Sequence, residues 1–244
     1  MYDLSKFTLK DMTECGMALR KLGSTSASME EVASKIVQYF YDHLIDKRTG
    51  EKSCALVRFF KTHPYQELNP ELRKFADGML KGNSCSSTTK CLTLLASAGE
   101  KPEWNSRQTS LGHQAIPLVS EQMVEQSPMI SQLIKQLGLE VSMLLDPDPS
   151  LLVNLEQKTY NIFHVHKAVD SPFIPAQAEF VIPLGIKSVL GCGGMLSSGN
   201  LYAIIIFSKV EIPSSTAEMF KSLVLSVKTT VLQFDQQRVF SDYA

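Results

Sequence analysis

The chain contains five cysteines and five histidines, the side chains that most readily act as nucleophiles, general bases or metal ligands. Nucleophilic catalysis needs a thiol within hydrogen-bond reach of a base, and a loop that stabilises an oxyanion. The sequence has no Gly-x-Ser-x-Gly motif and no comparable cysteine motif. We therefore assign no catalytic residue and expect the protein not to be an enzyme.

The cysteines are odd in number and widely spaced, and no CxxC pair occurs among them. This pattern favours free thiols in a reducing compartment over a disulfide framework or a zinc site. A small thiol-dependent redox enzyme is nevertheless an alternative function, and its candidate thiols are Cys85, Cys91 and Cys192.

Two histidines, His164 and His166, are separated by one residue in a segment that alternates like a strand. This spacing places both imidazoles on one face, about 7 Å apart, where they could provide two metal ligands. The sequence identifies no third ligand, and strand histidines are commonly held by hydrogen bonds alone. No metal site is predicted, and the cofactor is unknown.

A glycine-rich run, Gly191-Cys192-Gly193-Gly194, resembles a phosphate-binding loop in composition only. No Lys-Ser or Lys-Thr follows it, and the next predicted element is a strand rather than a helix. Glycines within a strand mark places where a ligand or another backbone comes close. We therefore interpret Cys192 as a buried small side chain beside a pocket.

Residues 100–119 form a long segment without clear periodicity. Loops of this length inside a domain are usually functional, or else conceal elements that were not recognised. We predict that Trp104, the only tryptophan, and His113, which follows it in the same segment, bind a ligand. The alternatives are that Trp104 is a packing anchor and that His113 is a surface histidine. The other residues that we predict to line the ligand pocket are Phe163, Phe180 and Cys192.

The elements that position these residues follow from hydrophobic periodicity. Helical spacing predicts helices over 7–22, 28–44, 71–80, 120–137, 173–181 and 213–234. Runs of β-forming residues predict strands over 53–61, 91–98, 139–145, 160–166, 188–195 and 201–208. The last two form a hairpin whose second arm is apolar on both faces, as expected for a central strand. We divide the chain into a candidate dimerisation helix (1–24), one domain (25–236) and a tail (237–244).

Composition excludes several classes of protein. The 24 basic and 25 acidic residues nearly balance, which disfavours binding to nucleic acid or to an anionic membrane surface. The sequence has neither a secretory signal nor a run of about 18 apolar residues that could span a membrane. These features predict a cytoplasmic protein that binds neither membrane nor nucleic acid.

The predicted order is α+β, with an antiparallel sheet of about five to six strands flanked by helices, including long N- and C-terminal helices. The segments Phe173–Phe180, Leu184–Leu190 and Gly199–Ser208, together with the helix after them, resemble the GAF domain, a family of sensory modules. The motifs that characterise particular members are absent: Cys85 and Cys91 are not followed by the histidine of bilin-binding members, and no Asn-Lys-Phe-Asp-Glu motif occurs.

The resemblance implies a regulatory module of bacterial signal transduction, like the input domain of a sensor histidine kinase in a two-component system. It implies a pocket for an unknown small molecule between the sheet and residues 100–135. It also implies a homodimer that passes its signal through the terminal helices to an output domain or kinase partner. A dimerisation or scaffold domain with a filled pocket is the remaining alternative.

Overall fold

The computed structural model describes residues 1–80, 84–110, 112–146 and 161–241 of the 244-residue chain. The described helices are α1 (Leu9–Lys21), α2 (Met29–His43), α3 (Pro70–Met79), α4 (Glu121–Glu125), α5 (Pro128–Gln136), α6 (Val141–Leu145) and α7 (Ser214–Val231). The described strands are β1 (Tyr2–Asp3), β2 (Leu44–Ile45), β3 (Cys54–Pro64), β4 (Lys90–Gly99), β5 (Ala115–Leu118), β6 (Phe163–Val165), β7 (Ser188–Met195) and β8 (Leu201–Ser208).

Six of these strands form one antiparallel sheet with the order β5-β4-β3-β8-β7-β6, and β1 and β2 form a separate parallel pair. The predicted α+β class, with a six-stranded antiparallel sheet flanked by helices, is confirmed. The hairpin of β7 and β8 has the predicted bounds, and all eight residues of β8 are buried. As the sequence indicated, β8 lies near the middle of the sheet, between β3 and β7.

The sheet separates two apolar clusters. On the first face, here called the helix face, α1, α2 and α7 cover side chains such as Phe59, Tyr202 and Ile204. On the second face, here called the cavity face, α4, α5 and α6 cover side chains such as Ile205 and Phe207. Because strand side chains alternate between faces, neighbouring residues of one strand belong to different clusters.

The terminal helices pack on one another on the helix face. The backbone of α1 approaches α7 closely at Gly16, where an added Cβ would lie 3.0 Å from the Ser226 Oγ. The Thr230 hydroxyl donates a hydrogen bond to the Leu19 carbonyl, 3.2 Å away. The predicted N-cap of α2 is also present, since the Ser28 Oγ accepts from the Glu31 N–H at 3.2 Å.

Residues 237–241, which we assigned to a tail, fold back onto the domain. The Arg238 and Val239 carbonyls accept hydrogen bonds from the first N–H groups of α2, at Met29 and Glu30. The Phe240 ring is buried beside His63, with ring centroids 5.0 Å apart. The described end of the chain is therefore attached to the N-terminus of α2.

Three predicted elements differ from those observed in type or extent. The strand expected over 139–145 is α6, because Gly138 adopts a left-handed conformation that ends α5 and Val141 and Leu144 then share one helical face. The helix expected over 173–181 is reduced to one π-helical turn, Gln177–Val181. The strand expected over 160–166 is described only from residue 161, and is observed as β6.

Two further features arise from prolines. The helical segment predicted over 120–137 is interrupted at Pro128, the residue that the sequence indicated would restrict a continuous helix, since Pro128 begins a new helix and forces Ser127 out of the helical conformation. The segment 100–119 conceals a strand, β5, which pairs with β4 at the edge of the sheet. The strand contains Pro117, a residue that edge strands tolerate and that obscured the strand pattern in the sequence.

Gly193 provides a test of the hairpin. An added Cβ would lie 2.1 Å from the Tyr202 carbonyl oxygen, an atom fixed in the neighbouring strand. We expect Gly193→Ala to reduce the free energy of unfolding by roughly 3 kcal/mol, as a severe overpacking change. Gly78→Ala is the matched control, because nothing lies within 4 Å of its added Cβ in α3. It should stabilise the protein by up to about 1 kcal/mol. Urea unfolding measures both, and equal effects would contradict the observed register.

Candidate functional site

A cavity of about 450 Å³ lies between the cavity face of the sheet and the segments that cover it. Its floor is formed by alternate residues of β3 and β8, which point to the same face. Its cover is formed by the first turns of α5, the residues before them, and the segment around the π-helical turn. The floor residues are Leu56, Arg58, Phe60, Ala203, Ile205 and Phe207, and the cover includes Gln126–Ile130, Leu133, Ile174–Ala176 and Phe180.

Three predicted ligand-binding residues, Trp104, His113 and Phe180, lie together on the cavity wall. The Trp104 and Phe180 rings meet edge to face at a centroid distance of 5.7 Å. Phe180 also packs edge to face on Phe207 of the floor, at 4.9 Å. The rings of Trp104, Phe180 and Phe207 therefore form a continuous aromatic wall, an arrangement typical of small-molecule sites.

The expected positions of the other two predicted residues require correction. Phe163 is fully buried in β6, where it packs in the core beside the cavity instead of lining it. Gly191 makes room for that ring, since an added Cβ would lie 2.8 Å from the Phe163 Cδ1. Cys192 lies on the helix face, because strand alternation puts it on the side opposite to Gly191.

Arg58 introduces a positive charge into a cavity floor that is otherwise largely apolar. The sequence analysis did not identify this residue. Its guanidinium donates a hydrogen bond from Nη2 to the Ser110 Oγ, 2.8 Å away. The Nε atom is buried and has no hydrogen-bond partner among the described residues. The detectable signal was a single arginine within the apolar run of β3, a residue type rarely buried without a partner.

Ser97 lies beside Arg58 on the adjacent strand, β4. The two residues are register partners, so their side chains share the cavity face. The Ser97 Oγ is also buried without a hydrogen-bond partner among the described residues. Two neighbouring positions on this face therefore carry polar groups whose hydrogen-bonding capacity is not used.

The electrostatics of the cavity follow from burial. Burial lowers the pKa of Arg58 to about 10, which leaves the guanidinium charged at neutral pH. His113 is an exposed residue overall, yet partial burial, and then the nearby positive charge of Arg58, lower the pKa of its imidazole below the ordinary value. His113 is therefore mainly neutral at pH 7 and has a positive φ of 63°, a conformation uncommon for a residue other than glycine.

The two cations whose side chains are buried in the described residues have carboxylate partners, whereas the partly buried Arg73 and Lys90 have none. The Lys61 Nζ lies 3.6 Å from Asp235 on the helix face, and the Arg107 Nε lies 2.8 Å from Glu30. No such carboxylate faces Arg58 within the described ranges. The cavity therefore holds a positive charge that the rest of the described structure does not neutralise.

The cysteines offer no activated thiol. Burial raises the pKa of Cys15, Cys54, Cys91 and Cys192 to about 12 in each case. The half-buried Cys85 also has a raised pKa, caused first by burial and then by Asp77. Since the thiolate is the reactive form, these environments suppress thiol chemistry at neutral pH.

Neither a metal-binding cluster nor a membrane-spanning helix occurs among the described residues. No group of three or more His, Cys, Asp or Glu side chains is positioned to hold a metal ion there. His164 and His166 lie with their ring centroids 5.8 Å apart, and the His166 Nδ1 is 3.3 Å from the Ile212 carbonyl. In the same ranges, no helix has the length and apolar character needed to cross a membrane.

Comparison with known proteins gives similarity at the level of structure only. No protein-family model matches the sequence, and no curated protein matches it significantly. Among solved structures, the phycocyanobilin-bound GAF domain of a cyanobacterial phytochrome is 9% identical, with a TM-score of 0.42 over 91% of this chain and 94% of that chain. A phycoerythrobilin-bound GAF domain from a cyanobacterial phytochrome is 10% identical, with a TM-score of 0.40 over 91% and 97%. The fold class stated above depends on this chain's own strand order instead.

Thiol labelling tests the environments of the cysteines. The time of reaction is set so that a thiol reagent at pH 8 modifies all five cysteines of the unfolded chain. In the native protein, we expect the same treatment to modify Cys85 alone. Peptide mass spectrometry identifies the labelled residues, and Cys85→Ser should leave the native protein unlabelled. Rapid labelling of Cys192 or Cys91 would contradict the raised pKa values and would restore the redox-enzyme alternative.

Proposed function

We propose that this chain is a regulatory module that senses a small molecule bound in the cavity. The observation that carries the proposal is the cavity itself, about 450 Å³ in volume, with an aromatic wall and an unneutralised charge. Cavities of this size and lining are typical of ligand sites. The cavity occupies the region between the sheet and residues 100–135 where we expected a pocket, which agrees with a GAF-like sensory module of bacterial signalling.

The two alternative functions have less support. A thiol-dependent redox enzyme needs an accessible thiolate, whereas burial raises the pKa of the described thiols. A scaffold domain without a ligand has no need for an open cavity, because protein interiors are normally close-packed. The cavity therefore favours a binding function over both alternatives.

A continuous set of contacts links the cavity to the end of the chain. Arg58 contacts Ser110, and the Gln114 side chain donates hydrogen bonds to the Ser110 and Arg107 carbonyls, at 3.0 and 3.5 Å. Arg107 then pairs with Glu30, and its guanidinium lies 5.5 Å from the centroid of the Phe240 ring. Glu30 also accepts a hydrogen bond from the Ser241 N–H at 2.9 Å.

These contacts suggest how occupancy could change the terminal segments. A ligand that binds Arg58 would bias the position of the segment holding Ser110 and Arg107, and Arg107 contacts both α2 and Phe240. A second route crosses the sheet, since the Tyr202 hydroxyl donates to the Val224 carbonyl of α7 at 3.1 Å. The terminal helices lie on the face opposite to the cavity, so neither route involves direct contact with the ligand.

The proposal includes a homodimer and an output partner, such as a kinase. Leu9 and Met17 of α1 and Leu225 of α7 are exposed apolar side chains on the helices that would pair. Exposed apolar side chains on adjacent helices favour association. Native mass spectrometry of the purified protein measures its oligomeric state directly, and a monomer at micromolar concentration would contradict the homodimer.

Filling the cavity tests the binding function. Ala203 is a small residue on the cavity floor, so Ala203→Phe should occupy the space that a ligand needs. Native mass spectrometry of wild-type protein purified from its own host should detect a bound small molecule that is absent from this variant. Ala27→Phe, at an exposed position, is the matched control and should retain the molecule. If wild-type protein and both variants retain the bound molecule equally, the molecule binds outside the cavity.

The route to the end of the chain has its own test. Glu30→Gln removes the carboxylate that pairs with the buried Arg107, and we expect it to cost about 3 kcal/mol of stability. Hydrogen exchange should then increase in residues 238–241 and in the segment around Arg107. Glu31→Gln is the control, because its ion pair with Lys35 is partly exposed and worth about 0.5 kcal/mol. If both variants exchange alike, Glu30 does not connect these segments.

A further inference from the structure

We propose that the ligand is an organic acid, a monoanion with a carboxylate head and an apolar body. The carboxylate would bind the Arg58 guanidinium at the β3–β4 side of the cavity, and the body would extend along the aromatic wall. This assignment rests on the proposed function, since it names the class of molecule that the same cavity would take.

The positive charge of Arg58 favours a ligand that carries a negative charge. A buried guanidinium without a counter-charge is costly, because desolvation disfavours the charged form. The buried cations Lys61 and Arg107 each have a carboxylate within 4 Å, whereas Arg58, which is partly buried like Arg73 and Lys90, has none among the described residues. A ligand that carries a carboxylate would supply the missing charge.

The second argument is hydrogen-bonding capacity. A guanidinium has N–H donors in a planar fork that matches a carboxylate, and Ser110 is the only acceptor that Arg58 contacts in the described residues. Its other N–H groups therefore have no acceptor there. The Ser97 hydroxyl, its register partner, is likewise unpaired, but Ser97 is not among the residues that line the cavity, so the donors offered to a ligand are those of Arg58. A carboxylate has two oxygens that can accept from this group of donors.

The third argument is the charge state of the neighbouring side chain. His113 is mainly neutral at pH 7, so it neither competes with Arg58 for the anion nor adds a second full charge. A single positive charge in an apolar surround matches a monoanion and disfavours a dianion such as a phosphate monoester, whose second charge would be left without a partner. The same positive charge disfavours a cationic ligand.

The fourth argument is the lining of the remaining cavity. Beyond Arg58, the floor and wall consist mostly of aliphatic and aromatic side chains, which favour an apolar body. The Lys101 ammonium lies outside this wall, 5.0 Å from the centroid of the Trp104 ring. Binding beside Trp104 would change the environment of the only tryptophan, so intrinsic fluorescence can report it.

The test uses matched pairs of acids and amides as probes: octanoate with octanamide, and 4-phenylbutyrate with 4-phenylbutyramide. Each pair has the same apolar body, and only the acid carries a charge at pH 7. We expect Trp104 fluorescence titrations to show that wild-type protein binds each acid roughly tenfold or more tightly than its amide, because charge-assisted hydrogen bonds are the stronger kind. Bound acid should also raise the thermal unfolding midpoint.

Variants assign the preference to Arg58. Arg58→Gln should remove the preference for the acids and leave binding of the amides within about twofold of wild type. Arg48→Gln is the matched control, because Arg48 is exposed in a turn and its substitution should change neither affinity.

The ligand-free variants separate binding from a structural role. If Arg58 is retained for binding, ligand-free Arg58→Gln should unfold at the wild-type temperature or above it, since a buried unneutralised charge has been removed. A midpoint lowered by several degrees in Arg58→Gln, with the acid preference retained in that variant, would show that Arg58 is structural and would overturn the assignment.

The remaining outcomes distinguish this assignment from the proposed function. Equal binding of acids and amides by wild-type protein, with both lost in Ala203→Phe, would overturn the organic-acid assignment and leave a ligand-binding cavity. Failure of every probe to bind wild-type protein would overturn the assignment, and the proposed function would then depend on the native mass spectrometry comparison. Tighter binding of inorganic phosphate than of the acids would overturn the monoanion argument.

Discussion

The central sheet is buried on both faces, and the rest of the structure depends on this constraint. Every residue of β8 is buried, so its alternate side chains must serve two different surroundings. Tyr202, Ile204 and Ile206 pack under the terminal helices, whereas Ala203, Ile205 and Phe207 form the cavity floor. The cavity floor and the packing under the terminal helices therefore depend on alternate side chains of the same strand.

The sequence predicted best the elements with a strong periodic signal and clear ends. The hairpin of β7 and β8 has the predicted bounds, and Ser28 caps α2 as expected, because both patterns are local. The predicted secondary structure was wrong where contacts with the rest of the fold determine whether a segment forms a helix or a strand. The segment 139–145 has β-forming composition, yet it forms α6 because Gly138 ends α5 and Val141 and Leu144 pack from one face.

The site was only partly predictable for a related reason. Segment length and aromatic content pointed to Trp104, His113 and Phe180, which the fold brings together on one wall. Alternation in β7 shows that Cys192 and Gly191 lie on opposite faces, but the sequence does not say which face bears the cavity. Arg58 was missed because an arginine in a strand is normally exposed at an edge or paired, and only the structure shows that it is neither.

The account depends most on the guanidinium of Arg58, whose charge no described carboxylate neutralises and whose Nε has no partner among the described residues. The most direct measurement is the ¹⁵N NMR signal of the Arg58 Nε–H group, assigned by its loss in Arg58→Gln, during titration with octanoate and with octanamide. The account predicts a saturable downfield proton shift with octanoate and little change with octanamide, because a carboxylate accepts strongly from a guanidinium. An unchanged signal at saturating octanoate, or equal shifts with both probes, would contradict it.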